Sequence, residues 1–526
     1  LDGLFIGDRT EDAFYNRVFV VSAYGGITNL LLEHKKTGEP GVYALFANAD
    51  HDHGWSDGLN RVMKAMTDAH HEILDDKADI RAADDFVRER IEGARSVLID
   101  LQRLCSYGHF QLENHMLTIR ELLSGLGEAH SAFVTATLLR RHGVNARFVD
   151  LTGWRDETHP SLDQRIDLGF EDIDTARELP IVTGYAQCRE GLMREFDRGY
   201  SEVTFSRIAA RTRAREAIVH KEFHLSSADP KVVGAEAVRK LGRTNYDVAD
   251  QLSNLGMEAI HPRAAKTLRQ AGIPLRVTNA FEPEDPGTLI DAEYGGETPR
   301  VDMIAGLRGV FALQFFEQDM VGVKGYDARI LESLTRHKVR IVSKSSNANT
   351  ITHYVDASLK LVKRVEADLA ETCPGARVRA RKMALVSAIG RNLEGLSVAR
   401  RGLTALEAAQ VKVLALQDNG RAVDVQWLVP AEQADDAVRA LHEELVSSAE
   451  ETAKPELDAD PVAGADRSGV DRGPRGTGGP APDRRPQAVA LLEAQARQAL
   501  PGHRNAHIAK AELVVVHGVV DKLNRH

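Results

Sequence analysis

The run FDRGYSEVTFSRIAARTRAREAIVHKEFHLSSADP, residues 196–230, sets the reading of this chain. It opens with a tight turn, Asp197-Arg198-Gly199-Tyr200-Ser201-Glu202. A helical run follows, with apolar Val203, Phe205, Ile208, Ala209 and Ala210. A short strand-like run, Ala217-Ile218-Val219, leads to the polar loop Ser226-Ser227-Ala228-Asp229-Pro230. A glycine turn feeding a helix offers unpaired backbone N–H groups and a positive dipole end to an anion. Arg198 adds a planar fork suited to a carboxylate or phosphate. Glu202 adds an acid within about one helical turn of it. A plain loop with a solvated arginine carries the same local signature, so the flanking sequence has to decide.

Upstream, Val18-Phe19-Val20-Val21 is a continuous apolar run, the pattern of a parallel strand buried on both faces. It ends in Ser22-Ala23-Tyr24-Gly25-Gly26-Ile27-Thr28-Asn29, then Leu30-Leu31-Leu32: strand, glycine loop, helix. In an open α/β sheet, ligands sit beyond the carboxyl ends of strands, where such loops lie; an ordinary strand-to-helix turn is the alternative. Residues 50–144 read mostly helical, with apolar spacing of three and four over 91–104 and 117–139. Inside the second run, Gly125-Leu126-Gly127-Glu128 argues against an unbroken helix. Glu128 then either faces a ligand cation at a helix start or lies on a solvated face. His109, His115 and His130 do not form a recognised metal-ligand spacing. Residues 144–151 and 179–182 are two further strand candidates. Helical regions at 246–269 and a late strand at 273–277 follow, with His261 before Pro262 read as structural. Strands alternating with helices predict an α/β fold with an open, mostly parallel, doubly wound sheet.

The character changes after about residue 300. A first unit reads strand (309–313), helix (328–336), strands (339–342 and 350–355), helix (359–369). A second reads strand (383–387), helix (398–409), strands (411–416 and 423–429), helix (433–446). This is an internal repeat of ferredoxin-like units. Residues 450–487, rich in Pro, Gly, Asp and Arg, read as a disordered linker. Residues 488–526 form a tail with no assigned role, in which 488–499 are a possible short helix.

Composition excludes several classes. The chain has 526 residues, 43% hydrophobic and 27% charged, ordinary for a globular protein of several domains. A net charge of −10 leaves no footprint for nucleic acid. No apolar run approaches the roughly 20 residues of a membrane helix. Cys105, Cys188 and Cys373 are far apart and unpatterned, which points to a reducing, cytoplasmic setting and to no protein metal site.

Taken together, five strings resemble the aspartokinase family, most of all the aspartokinases associated with ectoine biosynthesis. They are VVSAYGGITNLL (20–31), SGLGEAHSA (124–132), FDRGYSEVTFSRIA (196–209), HKEFHLSSADP (220–230) and LSNLGMEAIHPRAAKTLRQAGIPLRVTNAF (252–281). The resemblance covers roughly residues 1–448. It implies an amino acid kinase domain over 1–297 and two ACT regulatory domains over 305–372 and 376–449. It implies that Arg198 holds the α-carboxylate of aspartate and Glu128 its amino group. Ser22, Ala23, Thr28, Ser201 and Glu202 would line the substrate side. His220, Lys221, Ser226, Lys231, Glu258 and Ala259 would lie on the ATP side. Met320, Gly325, Ser345, Ser346 and Asn349 would form an effector site. The sequence also departs from the family. The usual Gly-Arg-Gly-Gly-Ser-Asp reads Asp197-Arg198-Gly199-Tyr200-Ser201-Glu202, the Thr-Asp nucleotide pair reads His220-Lys221, and the lysine of Gly-Ala-Lys-Val reads Glu258. The family's first strand and its Lys-x-Gly-Gly-Thr-Ser phosphate loop would precede residue 1.

The implied activity is ATP plus L-aspartate giving 4-phospho-L-aspartate, supplying ectoine synthesis, under feedback by threonine or lysine. Phosphoryl transfer needs positioning and charge neutralisation more than covalent help. The acceptor carboxylate is already ionised at neutral pH, so no general base is expected. Mg²⁺ is expected to bridge the ATP phosphates with few protein ligands. Paired ACT units imply a homodimer or larger assembly. The alternative is a non-catalytic amino-acid-sensing subunit on the same fold.

Overall fold

The computed structural model describes residues 5–6, 14–34, 37–48, 54–196, 199–255, 259–292, 294, 298–447 and 514–518. Arg198 and Glu258, the 450–487 segment and the 488–499 helix lie outside the described residues.

Eight strands form the first sheet. They are β1 (Arg17–Val21), β2 (Ala146–Val149), β3 (Leu179–Thr183), β4 (Glu216–Lys221), β5 (Arg243–Asn245), β6 (Leu275–Asn279), β7 (Thr288–Asp291) and, from the far end of the chain, the strand Val514–Gly518. All five residues of β1 and all five of β3 are buried, as their unbroken apolar runs predict for central parallel strands. Beginning at β2, the order is β2, β3, β1, the Val514–Gly518 strand, β4, β6, β7, β5. Every neighbouring pair is parallel except β6 with β7. Sequence reading found β1 to β4 and β6. It missed the short β5 and β7, and it gave no role to the tail.

The tail strand occupies the middle of the sheet. Val514 pairs with Arg17 on one side and Glu216 on the other, and Gly518 pairs with Val21 and His220. Without it, β1 and β4 would each present an open row of backbone donors and acceptors to the other. It therefore joins the two halves of the sheet, and its carboxyl end points between the two strand ends that carry Ser22 and Lys221.

The helix Met116–Arg141 runs unbroken through Gly125 and Gly127, which corrects the expected break. Both glycines are needed for close approach. A Cβ on Gly125 would stand 2.9 Å from Tyr185 Cδ1, and one on Gly127 2.7 Å from Ala23 Cβ. Every residue from Leu123 to Ala132 is buried. A helix buried all round has no polar face to set a period, so its glycines misled the reading.

The second sheet has six strands, numbered on from β7: β8 (Arg300–Phe316), β9 (Arg340–Ser346), β10 (Thr350–Asp356), β11 (Arg377–Arg391), β12 (Ala415–Asp418) and β13 (Asp424–Val429). Their order is β12, β13, β11, β8, β10, β9. The long β8 and β11 pair antiparallel from Arg377 opposite Phe316 to Arg391 opposite Arg300, so both repeat units share one sheet. Helices Tyr326–Arg336, Leu359–Thr372, Val398–Ala408 and Ala434–His442 give each unit the expected strand-helix-strand-strand-helix order. The strand expected over 411–416 forms only from Ala415. Among the described residues, no helix is long and apolar enough to cross a membrane.

Candidate active site

The strands β1, β3 and β4 end together, and the helix Tyr200–Thr212 starts over them. Gly199 caps that helix at φ 78°, a left-handed conformation that suits glycine, and a Cβ there would meet the His261 ring at 2.7 Å. Gly184, just past β3, donates to the Val21 carbonyl at 2.9 Å. A Cβ on it would lie 2.7 Å from Ser201 Cβ. The bare Gly184 backbone thus lets Ser201 pack against the end of β3, and the bare Gly199 lets the His261 ring approach the helix start.

Ser201 Oγ donates to Glu128 Oε1 at 2.7 Å. Glu128 is 2% exposed, and its Oε2 has no hydrogen-bond partner. Burial pushes its carboxyl up from an ordinary 4.5 to about 8, against the lowering effect of the Ser201 hydroxyl. The solvated-face alternative for Glu128 is therefore wrong. Ser131, one helical turn on, donates from its hydroxyl to the Ser22 carbonyl at 2.8 Å and so fixes the loop at the end of β1. Ala23 lies against Gly127, and Thr28 belongs to the short helix Ile27–Leu31, capped by Gly26 at φ 83°. The structure thus groups Ser22, Ala23, Glu128 and Ser201, with Thr28 the second residue of the adjoining helix.

Glu202, expected on the substrate side, is held by two protein partners. Its Oε1 accepts from Lys221 Nζ at 2.8 Å, with both side chains largely buried, and its Oε2 accepts from the His261 backbone N–H. It ties the Gly199 turn to the end of β4 and to the start of the helix Pro262–Ala271. His261 caps that helix through its ring, in keeping with a structural role. Among the residues expected on the nucleotide side, the Thr278 hydroxyl and His220 Nδ1 are 2.6 Å apart. Ser226 Oγ donates to the Ala228 carbonyl, Lys231 is exposed at the start of a short helix, and Ala259 is buried.

The loop that holds Ser226 and Lys231 is bolted to the second repeat unit. Ser227 and His442 share a buried hydrogen bond of 2.8 Å, Ile304 N donates to the Ser227 carbonyl at 2.8 Å, and Arg439 reaches the Val232 carbonyl. Sequence reading singled out neither Ser227 nor His442 as a pair, because they lie 215 positions apart.

The expected effector residues fall around one edge of the second sheet. Met320 is buried, Gly325 opens the helix Tyr326–Arg336 at φ 102°, and Asn349 accepts from Glu317 N through its carbonyl. Ser345 and Ser346 are exposed on the edge strand β9. Val323 is 56% exposed. A buried group there was missed. His353 is fully buried with both ring nitrogens unpartnered, and Asp327 Oδ1, also without a hydrogen-bond partner, is 3.6 Å away. Burial lowers the His353 pKa, so the ring is neutral. No local spacing signals this pair.

A cavity of about 470 Å³ is lined by Tyr24, Gly26, Ile27 and Asn29 together with residues of the helix Gly54–Ile73, and includes none of Glu128, Ser201 or Lys221. The buried carboxylate and the buried ion pair locate the candidate chemistry more directly than that cavity does.

Comparisons with known proteins agree with this architecture. Residues 7–279 match the model of the amino acid kinase family. The chain is 50% identical over 465 residues to "Aspartate kinase Ask_Ect" of Stutzerimonas stutzeri, covering 88% of this chain and 96% of that protein. It is 23% identical to chloroplastic aspartokinase 3 of Arabidopsis thaliana, covering 81% of this chain and 75% of that one. In fold it is similar to E. coli aspartokinase III in complex with aspartate and ADP, with a TM-score of 0.60 at 20% identity, covering 82% of this chain and 93% of that one.

Proposed function

This chain belongs to the aspartokinase family, and from that premise we propose how its residues transfer a phosphoryl group from ATP to L-aspartate. The enzyme is an ATP-dependent aspartate kinase, giving 4-phospho-L-aspartate and ADP. The alternative of a sensing subunit is set aside, because the match to a protein named aspartate kinase extends over 96% of that protein. The domain reading of 1–297 for catalysis, with 305–372 and 376–449 as ACT units, goes with this function.

The observation that carries the site assignment is Glu128. A buried carboxylate with one oxygen held by Ser201 and the other unpartnered is complementary to one small cation. The α-ammonium of aspartate is such a cation. Arg198, the residue before Gly199 in the sequence, takes the α-carboxylate as a two-pronged fork. The side-chain carboxylate is then free to face ATP. Ser22, Ala23 and Thr28 shape the substrate end, and Lys221, held by Glu202, places a positive charge between the two halves of the site. His220, Ser226, Lys231, Glu258 and Ala259 form the nucleotide side. Mg²⁺ accompanies ATP and neutralises phosphate charge. In the described site Glu128 is tied to Ser201 and Glu202 to Lys221, a donor set that fits a cation held chiefly by phosphate oxygens.

Met320, Gly325, Ser345, Ser346 and Asn349 form the effector side, with buried His353 and half-buried Asp327 as polar neighbours. Exposed Val321, Val323 and Ile341 lie at the same edge and suit burial against a second copy, as a homodimer. The product supplies ectoine synthesis in the cytoplasm. Kinetics of Arg198→Lys test the substrate assignment. Lysine keeps the charge and loses the fork. A fall of at least tenfold in kcat/KM for aspartate, with KM for ATP little changed, is expected; unchanged efficiency would overturn the assignment.

A further inference from the structure

Two adjacent histidines on one helix normally point about 100° apart, one inward and one outward. His70 and His71 end the helix Gly54–Ile73, and by exposure they obey this rule: His70 is fully buried and the His71 side chain is 46% exposed. Yet both rings turn to the same atom. His70 Nε2 lies 3.0 Å and His71 Nε2 3.1 Å from Oδ1 of Asp84, on the following helix Lys77–Cys105. The three donor atoms lie within 4.8 Å of one another. Behind them, His70 Nδ1 is 3.0 Å from His130 Nε2. None of these four residues touches the proposed transfer chemistry.

We propose that His70, His71 and Asp84 form a site for a divalent transition-metal cation of the zinc type. Two imidazole nitrogens and one carboxylate oxygen are the donor set of a three-ligand site that takes water as its fourth ligand. Bonds of about 2.0 to 2.1 Å in a tetrahedron set its ligand atoms roughly 3.3 Å apart, so separations of 3.0 and 3.1 Å need to open by only a few tenths of an ångström. Nitrogen-rich donors favour zinc, cobalt or nickel over magnesium or calcium, so the site does not compete for the Mg²⁺ that travels with ATP. The site is open on one side, because Asp84 is 28% exposed and His71 more so. It is braced on the other. In the metal-free structure His70 Nε2–H donates to Asp84; a cation would replace that hydrogen, and the tautomer with Nδ1–H donated to His130 Nε2 would then turn the Nε2 lone pair to the metal, the outer-sphere arrangement that orients metal-bound imidazoles.

The position gives the cation a consequence. The His130 ring packs edge-on against Tyr24, 5.4 Å between centroids, in the loop that follows Ser22. A cation at this site would pin the helices Gly54–Ile73 and Lys77–Cys105 together on the flank of the active-site loop.

The test is titration of the full-length, metal-stripped protein with Co²⁺ and Zn²⁺. One equivalent of Co²⁺ is expected to give the visible absorption of a four-coordinate site, displaced by Zn²⁺. His71→Ala and Asp84→Asn are expected to weaken binding at least tenfold while keeping the fold by circular dichroism, since both side chains are partly exposed. His224→Ala, in the separate His224, Glu282, Asp285 group that Lys240 already neutralises, is expected to leave it unchanged. Absence of the absorption, or equal Co²⁺ affinity in Asp84→Asn and the parent, would overturn the proposal. The readout does not require kinase activity, so it stands or falls separately from the catalytic assignment.

Discussion

Replacing Glu128 with glutamine separates what this residue does for function from what it costs the fold. The carboxyl is held at about 8 in the folded protein by burial, against 4.5 when exposed. The group is thus raised on folding. Its neutral form is present in both states below pH 4.5, and stability is lost as the pH climbs from 4.5 through 8, because only the unfolded chain releases the proton freely. Between pH 5 and pH 8.5 the linkage removes on the order of 3 kcal/mol from the parent, since each tenfold change in proton affinity is worth about 1.4 kcal/mol. Glutamine accepts the same Ser201 bond but does not titrate. Its buried amide adds a roughly constant penalty of about 1 to 3 kcal/mol if unpaired. Urea unfolding of parent and Glu128→Gln at both pH values should therefore show the variant gaining on the parent by a few kcal/mol as the pH rises, whatever the offset at pH 5. The same variant should bind aspartate far more weakly, because a neutral amide offers no charge to the α-ammonium. In the parent, aspartate should release a proton on binding below pH 8, and its KM should fall as the pH rises toward 8. A stability difference between the two proteins that does not change with pH, together with an unchanged KM for aspartate, would refute the reasoning.

Three further outcomes follow from the same structure. Ser227→Ala breaks the buried bond to His442 that fixes the loop proposed to bind ATP to the second ACT unit. It should cost about 1 to 3 kcal/mol in unfolding assays and raise KM for ATP more than KM for aspartate. Val516→Pro removes a donor from the strand between β1 and β4. It should lower stability by about 3 kcal/mol or more and speed amide exchange in residues 17–21 and 216–221; unchanged exchange would show that the tail strand does not sit there. Lysine should inhibit weakly, because Val323, exposed beside the proposed effector residues Met320 and Gly325, offers an effector no hydrogen bond, and a missing hydrogen bond costs on the order of 1 kcal/mol; complete inhibition at low lysine with tight calorimetric binding would contradict this.

The legible parts of this chain were those with short-range signals. Unbroken apolar runs gave β1 and β3, because parallel strands buried on both faces leave no other pattern. The strand-helix-strand-strand-helix repeat gave the paired ACT sheet, though not that β8 and β11 run through both units. The glycine turn at Gly199 was legible as the opening of a helix. The role of Glu202 was not, since it lies on a helix while its partner Lys221 ends strand β4, and nothing local announces the pair. Glu128 was ambiguous for the opposite reason: a glycine-rich, evenly buried helix has no amphipathic period to place one residue. The tail strand was invisible because its neighbours lie about 300 and 500 residues earlier in the chain.

The central claim is that this protein phosphorylates the side chain of aspartate. The direct measurement is trapping of the acyl phosphate with hydroxylamine after incubation with Mg²⁺, ATP and L-aspartate, alongside ADP release. The account predicts aspartate-dependent hydroxamate formed in equal amount with ADP and abolished in Arg198→Ala. ADP release with no hydroxamate, or hydroxamate yield unaffected by Arg198→Ala, would contradict it.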